Sequence, residues 1–112
     1  MKPKIQVERV PNRRIAWFNF RKVISQSRQT FWRPLSDQSE KYLKNLKDEK
    51  TVAAIRRIIR LPGVKQVTVD TYHLRAEVAD MYTRDEIEQT ALRIICEEIF
   101  NAEVEAVEVQ YK

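Results

Sequence analysis

The sequence holds a single glycine, Gly63, in 112 residues. Loops that cradle phosphate need several, because their backbone N–H groups must approach the anion without a Cβ in the way. Walker-type and dinucleotide-binding loops are therefore excluded. Cysteine and histidine are as scarce, with one each at Cys96 and His73. One thiol cannot close an internal disulfide, which fits a reducing compartment and gives a cytoplasmic location as the expectation. A tetrahedral metal centre wants about three or four Cys, His or carboxylate ligands. Cys96 and His73 fall in different elements, so no metal and no cofactor is expected. Long apolar runs are missing too: stretches such as Ile94–Cys96 fall far short of the roughly 20 residues of a membrane helix. No membrane association is expected. The opening Met1-Lys2-Pro3-Lys4 is charged with no apolar stretch behind it, unlike a secretory signal.

Between Glu8 and Asp37 there is no acidic residue at all. That interval holds Arg9, Arg13, Arg14, Arg21, Lys22, Arg28 and Arg33, interleaved with Phe18, Phe20, Phe31 and both tryptophans, Trp17 and Trp32. Residues 1–60 carry 16 Lys+Arg against 5 Asp+Glu, and residues 61–112 carry 5 against 11. An asymmetry of this kind points either to an acidic partner for the first half or to complementary packing between the halves.

Along the chain, Lys4–Val10 alternates apolar and polar as a half-buried strand does, with Ile5 and Val7 on one side. Pro11-Asn12-Arg13 is a turn signal, and Arg14–Phe20 reads as the second strand of a hairpin. Both faces of that strand are apolar: Ile15 and Trp17 point one way, Ala16, Phe18 and Phe20 the other. One face must meet the core, and the other is covered or displayed. Gln29–Arg33 reads as a short third strand ended by Pro34. Ser36 is an N-cap for a helix carrying Tyr42, Leu43 and Leu46. After the polar Lys47-Asp48-Glu49-Lys50, a second helix at Thr51–Arg60 places Val52, Ile55, Ile58 and Ile59 on one stripe.

Leu61-Pro62-Gly63 stops that helix. Val64–Asp70 and the alternating Leu74, Ala76 and Val78 read as two strands joined at Thr71-Tyr72. Thr83 and Glu86 form a capping box for a helix reaching about Phe100, with Ile87, Ala91, Ile94, Ile95 and Ile99 facing the core. Ala106–Tyr111 closes the chain as an edge strand. The order β-β-(β)-α-β-β-α-β predicts one domain over 1–112, an α+β two-layer sandwich with a mostly antiparallel sheet and helices on one face.

Catalytic constellations are thin. A Cys96–His73 dyad lacks any activation of the thiol, since Glu97 and Glu98 beside it raise its pKa. The carboxylates at Glu86, Glu88, Glu97, Glu98, Glu103, Glu105 and Glu108 are expected mostly on solvated faces, away from the apolar pocket that general acid–base work needs. Cys96 reads as a small core residue and His73 as exposed at a hairpin. The expectation is a protein that is not an enzyme.

The basic aromatic tract remains. Arg13, Arg14, Arg21, Lys22, Arg28 and Arg33 have the type and spacing of phosphate contacts, and Trp17 or Trp32 of base-stacking platforms. Arg56, Arg57 and Arg60 would extend that surface. The alternative is an aromatic core beneath a solubilising rim of arginine stems.

The segment Glu8-Arg9-Val10-Pro11-Asn12, followed by an aromatic strand ending in Phe20, resembles the N-terminal domain of Nfu/NifU-type iron–sulfur scaffold proteins. Ile55–Val67, with Ile59, Gly63-Val64 and Val67, is similar to that family's helix, Gly-Val turn and strand. His73–Val78 and Arg84–Ile99 stand where its second hairpin strand and closing helix lie, so the resemblance spans about residues 5–99. Full-length scaffold proteins hold their cluster through a Cys-x-x-Cys in a separate C-terminal domain. Nothing in this chain corresponds to it, so cluster assembly does not carry over. Lys41–Lys50 resembles an insertion relative to the family, and Ala106–Tyr111 an addition. The resemblance implies a small α+β interaction domain whose partners are proteins. Three functions follow as expectations: an adaptor using its basic face on an acidic protein partner, a single-stranded nucleic-acid-binding module using the same face, or a homo-oligomer pairing basic half with acidic half.

Overall fold

The computed structural model describes residues 2–46 and 48–112. Met1 lies outside the described residues, as does Lys47 of the expected link between two helices. Alternation along Lys4–Glu8 and Ile15–Phe20 produces strands β1 and β2, antiparallel with Ile5 opposite Phe20 and Val7 opposite Phe18. Gln29–Trp32 is β3, followed by helices α1 (Asp37–Asn45) and α2 (Glu49–Ile58). Val64–Val69 and His73–Val78 are β4 and β5, Glu88–Ile99 is α3, and Glu108–Tyr111 is β6. The six strands lie in the order β3-β4-β5-β2-β1-β6. All neighbours are antiparallel except β1 and β6, which run parallel.

One face of the sheet carries the core. Val7, Phe18, Leu74, Ala76, Val67 and Phe31 are buried beneath Leu43, Ile55, Ile58, Ala91, Leu92, Ile95 and Ile99 from the three helices. The chain is thus an α+β two-layer structure with its helices on one side, as the alternation predicts. The expected pair of helices is present, separated by caps rather than by a long loop. The Ser36 hydroxyl accepts from the Ser39 N–H at 3.1 Å, and the Asp48 carboxylate accepts from the Lys50 and Thr51 N–H groups. Such caps satisfy N–H groups that the first turn leaves without partners.

Several boundaries differ from the expectation: α2 runs Glu49–Ile58 rather than Thr51–Arg60, because the Asp48 cap draws Glu49 and Lys50 of the expected link into its first turn. The Thr83 N–H does donate to the Glu86 carboxylate at 2.8 Å, but this box closes a 3-10 turn at Arg84–Glu86. Ile87 then leaves helical geometry and buries its side chain before α3 begins. At the C-terminus Val104–Ala106 forms another 3-10 turn, so β6 is shorter than Ala106–Tyr111. Gly63 adopts φ +88°, and a Cβ there would fall 2.5 Å from the Tyr82 ring. Both the left-handed backbone and the aromatic approach require glycine at this turn.

The helix-free sheet face as candidate functional site

Core-facing residues alternate with a second set that points to the side of the sheet without helices. On this side the register brings Trp17 opposite Arg75, Arg75 opposite Thr68, and Thr68 opposite Thr30. Trp32 and Gln66 form the adjacent cross-strand pair. Both tryptophans therefore face away from the core. The second apolar face of β2 is displayed.

Trp17 is the better supported of the two. Its ring stacks on His73 with centroids 4.6 Å apart and planes at 19°. The Arg75 guanidinium lies 5.3 Å from the Trp17 centroid, within cation–π range. Trp17 Nε1 donates to Asn19 Oδ1 at 2.7 Å, and Asn19 Nδ2 donates to the Gln6 and Glu8 side-chain oxygens, each at 3.1 Å. This network fixes the ring on the sheet. His73 is half-buried rather than exposed, because the stack covers it, and burial pushes its imidazole pKa down. Its Nε2 is buried with no hydrogen-bond partner among the described residues.

Trp32 is different. On the edge strand β3 it stays 56% exposed. Three strand intervals and a two-residue offset along the strands separate it from Trp17, roughly 16 Å. Between them lie the Thr30 and Thr68 hydroxyls, hydrogen-bonded at 2.9 Å. Most charges on this face are paired or offset: Lys4 pairs with Glu108 at 3.8 Å and Lys65 with Glu77 at 2.8 Å, Arg75 and Glu8 add one of each sign, and Arg21, beside Lys4 and Asn19, adds one cation.

The cations picked out in the sequence are not gathered into one surface. Arg14 pairs with Asp80, Arg28 with Asp70 at 3.1 Å, and Arg57 with Glu97 and Glu98 at 3.0 and 3.1 Å. Arg56 forms a two-pronged pair with Glu40 at 2.8 and 2.7 Å, and the Arg56 hydrogen bond holds the Glu40 carboxyl below its ordinary range. Lys22 donates to the Ile99 carbonyl and sits 5.6 Å from the Phe100 ring centroid. Arg13, Arg21, Arg33 and Arg60 have no carboxylate within 4.0 Å among the described residues. They are scattered, in the β1–β2 turn, after β2, after β3 and after α2. Arg56, Arg57 and Arg60 belong to the helix layer. Complementary packing accounts for much of the asymmetry: the pairs of Arg14, Arg28 and Arg57 each join the basic half to the acidic half.

Sequence reasoning missed three residues of consequence. His73 and Arg75 flank Leu74 in a strict alternation with Ala76 and Val78. That pattern alone sets them on the face opposite the core; only the β2–β5 register sets them on Trp17. Glu88 is the third. Expected among solvated carboxylates, it is 3% exposed at the start of α3 and takes a salt bridge from Arg9 at 2.9 Å. Arg9 in turn lies 4.9 Å from the Tyr111 ring centroid, so the pair ties α3 to β6.

Potential chemistry elsewhere is dispersed. Cys96 is buried on the core side of α3, where burial pushes its thiol up to about 11, and His73 lies across the sheet from it. No group of three or more His, Cys, Asp or Glu side chains converges among the described residues. A cleft of about 620 Å³ opens between the β2–β3 connection and the α1–α2 junction. Its charged members, Asp48, Glu49 and Lys50, are consecutive, and Asp48 already caps α2. Among the described residues no helix is long and apolar enough to cross a membrane.

Comparison with protein-family profiles finds no match, and comparison with curated proteins finds none either. Among solved structures the chain is similar to the solution NMR structure of a NifU-like protein from Saccharomyces cerevisiae, with a TM-score of 0.61 and 11% sequence identity over 91% of this chain and 82% of that one. At that identity the likeness is one of fold, and the chain has an Nfu/NifU-like α+β fold.

Proposed function

We propose that the chain is a non-enzymatic adaptor domain that docks a protein partner on the helix-free face of its sheet. The observation that carries this reading is Trp32, 56% exposed on an uncovered sheet face. Interface hot spots are enriched in Trp, Tyr and Arg, surrounded by polar groups that exclude water. Trp32, the Trp17–His73 stack and Arg75, set among Thr30, Thr68 and Gln66, have that composition. A resident reaction finds no support in the dispersed thiol, imidazole and carboxylates.

The second reading is a single-stranded nucleic acid on the same face. The outward tryptophans favour it, since aromatic platforms on open sheets stack bases. Against it stand the ion pairs that occupy Arg14, Arg28, Arg56 and Arg57. Phosphate binding needs a track of cations free to displace counterions.

Affinity capture from nuclease-treated extract at about 0.15 M salt separates the two. The expected outcome is a protein partner whose recovery falls at least about tenfold with Trp32→Ala, a surface change worth within roughly 0.5 kcal/mol of stability. Recovery should survive Tyr42→Ala on α1. Capture that vanishes with nuclease moves the function to the second reading. Capture lost in Tyr42→Ala but kept in Trp32→Ala contradicts both.

A further inference from the structure

Strand β3 is one border of the sheet, with β4 on one side and, among the described residues, no strand on the other. One bond orients it: the Arg33 N–H donates to the Lys65 carbonyl at 3.0 Å. Backbone groups alternate in direction along a strand. Gln29 and Phe31 therefore share the direction of Arg33 and pair with β4. The N–H and C=O groups of Thr30 and Trp32 point away from the sheet, and among the described residues they have no hydrogen-bond partner. The Thr30–Thr68 hydroxyl contact at 2.9 Å agrees with this, because opposed residues of the non-hydrogen-bonded type bring their side chains closest.

Solvent-exposed edges are ordinarily blunted by a charge, a proline or a bulge within the strand. Gln29-Thr30-Phe31-Trp32 contains no charge and no proline. The register shift in β4 lies at Val64/Gln66, in its pairing with β5. What flanks the bare edge is cationic. Arg28 is held by Asp70 at 3.1 Å, whereas Arg33 meets only the Leu61 carbonyl, at 3.1 Å. The opposite border, β6, does carry a charge within the strand, Glu108, which pairs with Lys4 at 3.8 Å.

We propose that the protein partner binds by adding an extended segment to the free edge of β3, as a further strand of the sheet, with an acidic side chain on Arg33 and an apolar one against Trp32. This rests on the docking reading above and specifies how that face is met. The outward groups of Thr30 and Trp32 supply main-chain hydrogen bonds for affinity, and the Trp32 and Arg33 side chains select the sequence.

The test pans a phage-displayed library of random twelve-residue peptides against the full chain. The expected outcome is enriched peptides with a carboxylate at a fixed offset from an apolar residue. Their binding should protect the Thr30 and Trp32 amides from hydrogen exchange. Arg33→Glu should weaken them at least about tenfold. Thr30→Pro should do the same without loss of fold, because the donor it removes faces away from β4 and proline is tolerated on edge strands. Amide spectra of both variants check that the sheet is intact. No enriched peptide overturns the proposal. Peptides that perturb the Trp32 ring but leave both amides exchanging as before overturn strand addition and leave docking on the face standing. Peptides that map to the helix layer overturn both.

Discussion

His73 carries the most specific consequence of a single side chain's surroundings. Burial against Trp17 disfavours the imidazolium and holds the folded-state pKa below its ordinary 6.5. The unfolded chain therefore binds a proton more readily than the folded one as pH falls past that value. Stability contributed by neutral His73 is fully present above about 6.5 and declines as pH drops toward the folded pKa. An NMR titration of the one histidine should give a midpoint below 6.5, moving upward in Trp17→Ala once the stack is gone. A midpoint at or above 6.5 in the wild type would contradict the stacked, buried imidazole. The dependence was invisible in the sequence, where His73 reads as a hairpin residue and nothing announces the β2–β5 register.

At the scale of elements, the turn between α2 and β4 is held by two requirements at once. Gly63 occupies a left-handed conformation, which costs a side-chain-bearing residue about 1–2 kcal/mol. A Cβ at this position would also fall 2.5 Å from the Tyr82 ring. Gly63→Ala should lower the unfolding free energy by more than the backbone cost alone. In a Tyr82→Ala background the added loss should shrink toward that cost, and urea melts of the four species measure the coupling. Additive effects would show that the ring gives way freely. Elements of this kind were legible early: the Leu61-Pro62-Gly63 stop, the Ser36 cap, and the alternation of Ile5, Val7, Ala16 and Phe18 each depend on neighbours in sequence. The 3-10 turns at Arg84–Glu86 and Val104–Ala106 were not. There Ile87 and Val107 turn into the core, and that tertiary demand shortens what local pattern extends.

For the whole molecule, charge is where local reading and folded structure part most. The basic tract of residues 9–36 looks continuous along the chain, but folding carries Arg14 to Asp80 and Arg28 to Asp70, while Arg9 meets a buried Glu88. Long-range pairing of this type leaves no trace in residue spacing, so the candidate cations could be named from the sequence but not sorted into paired and free. The aromatic half of the tract was better legible. Trp17 alternates with Ala16 and Phe18, and Trp32 with Phe31, so the choice was only between a covered and an uncovered second face. The answer, an uncovered face bearing Trp32 at its edge, is the basis of the proposed docking role. A photo-crosslinking benzophenone residue placed at Thr30, on the same face of β3 as Trp32, and separately at Arg60 in the helix layer, tests that role most directly. Irradiation in living cells should yield a discrete protein adduct from position 30 and none from position 60. Adducts from position 60 alone would show that the working surface is the helix layer and would contradict the account.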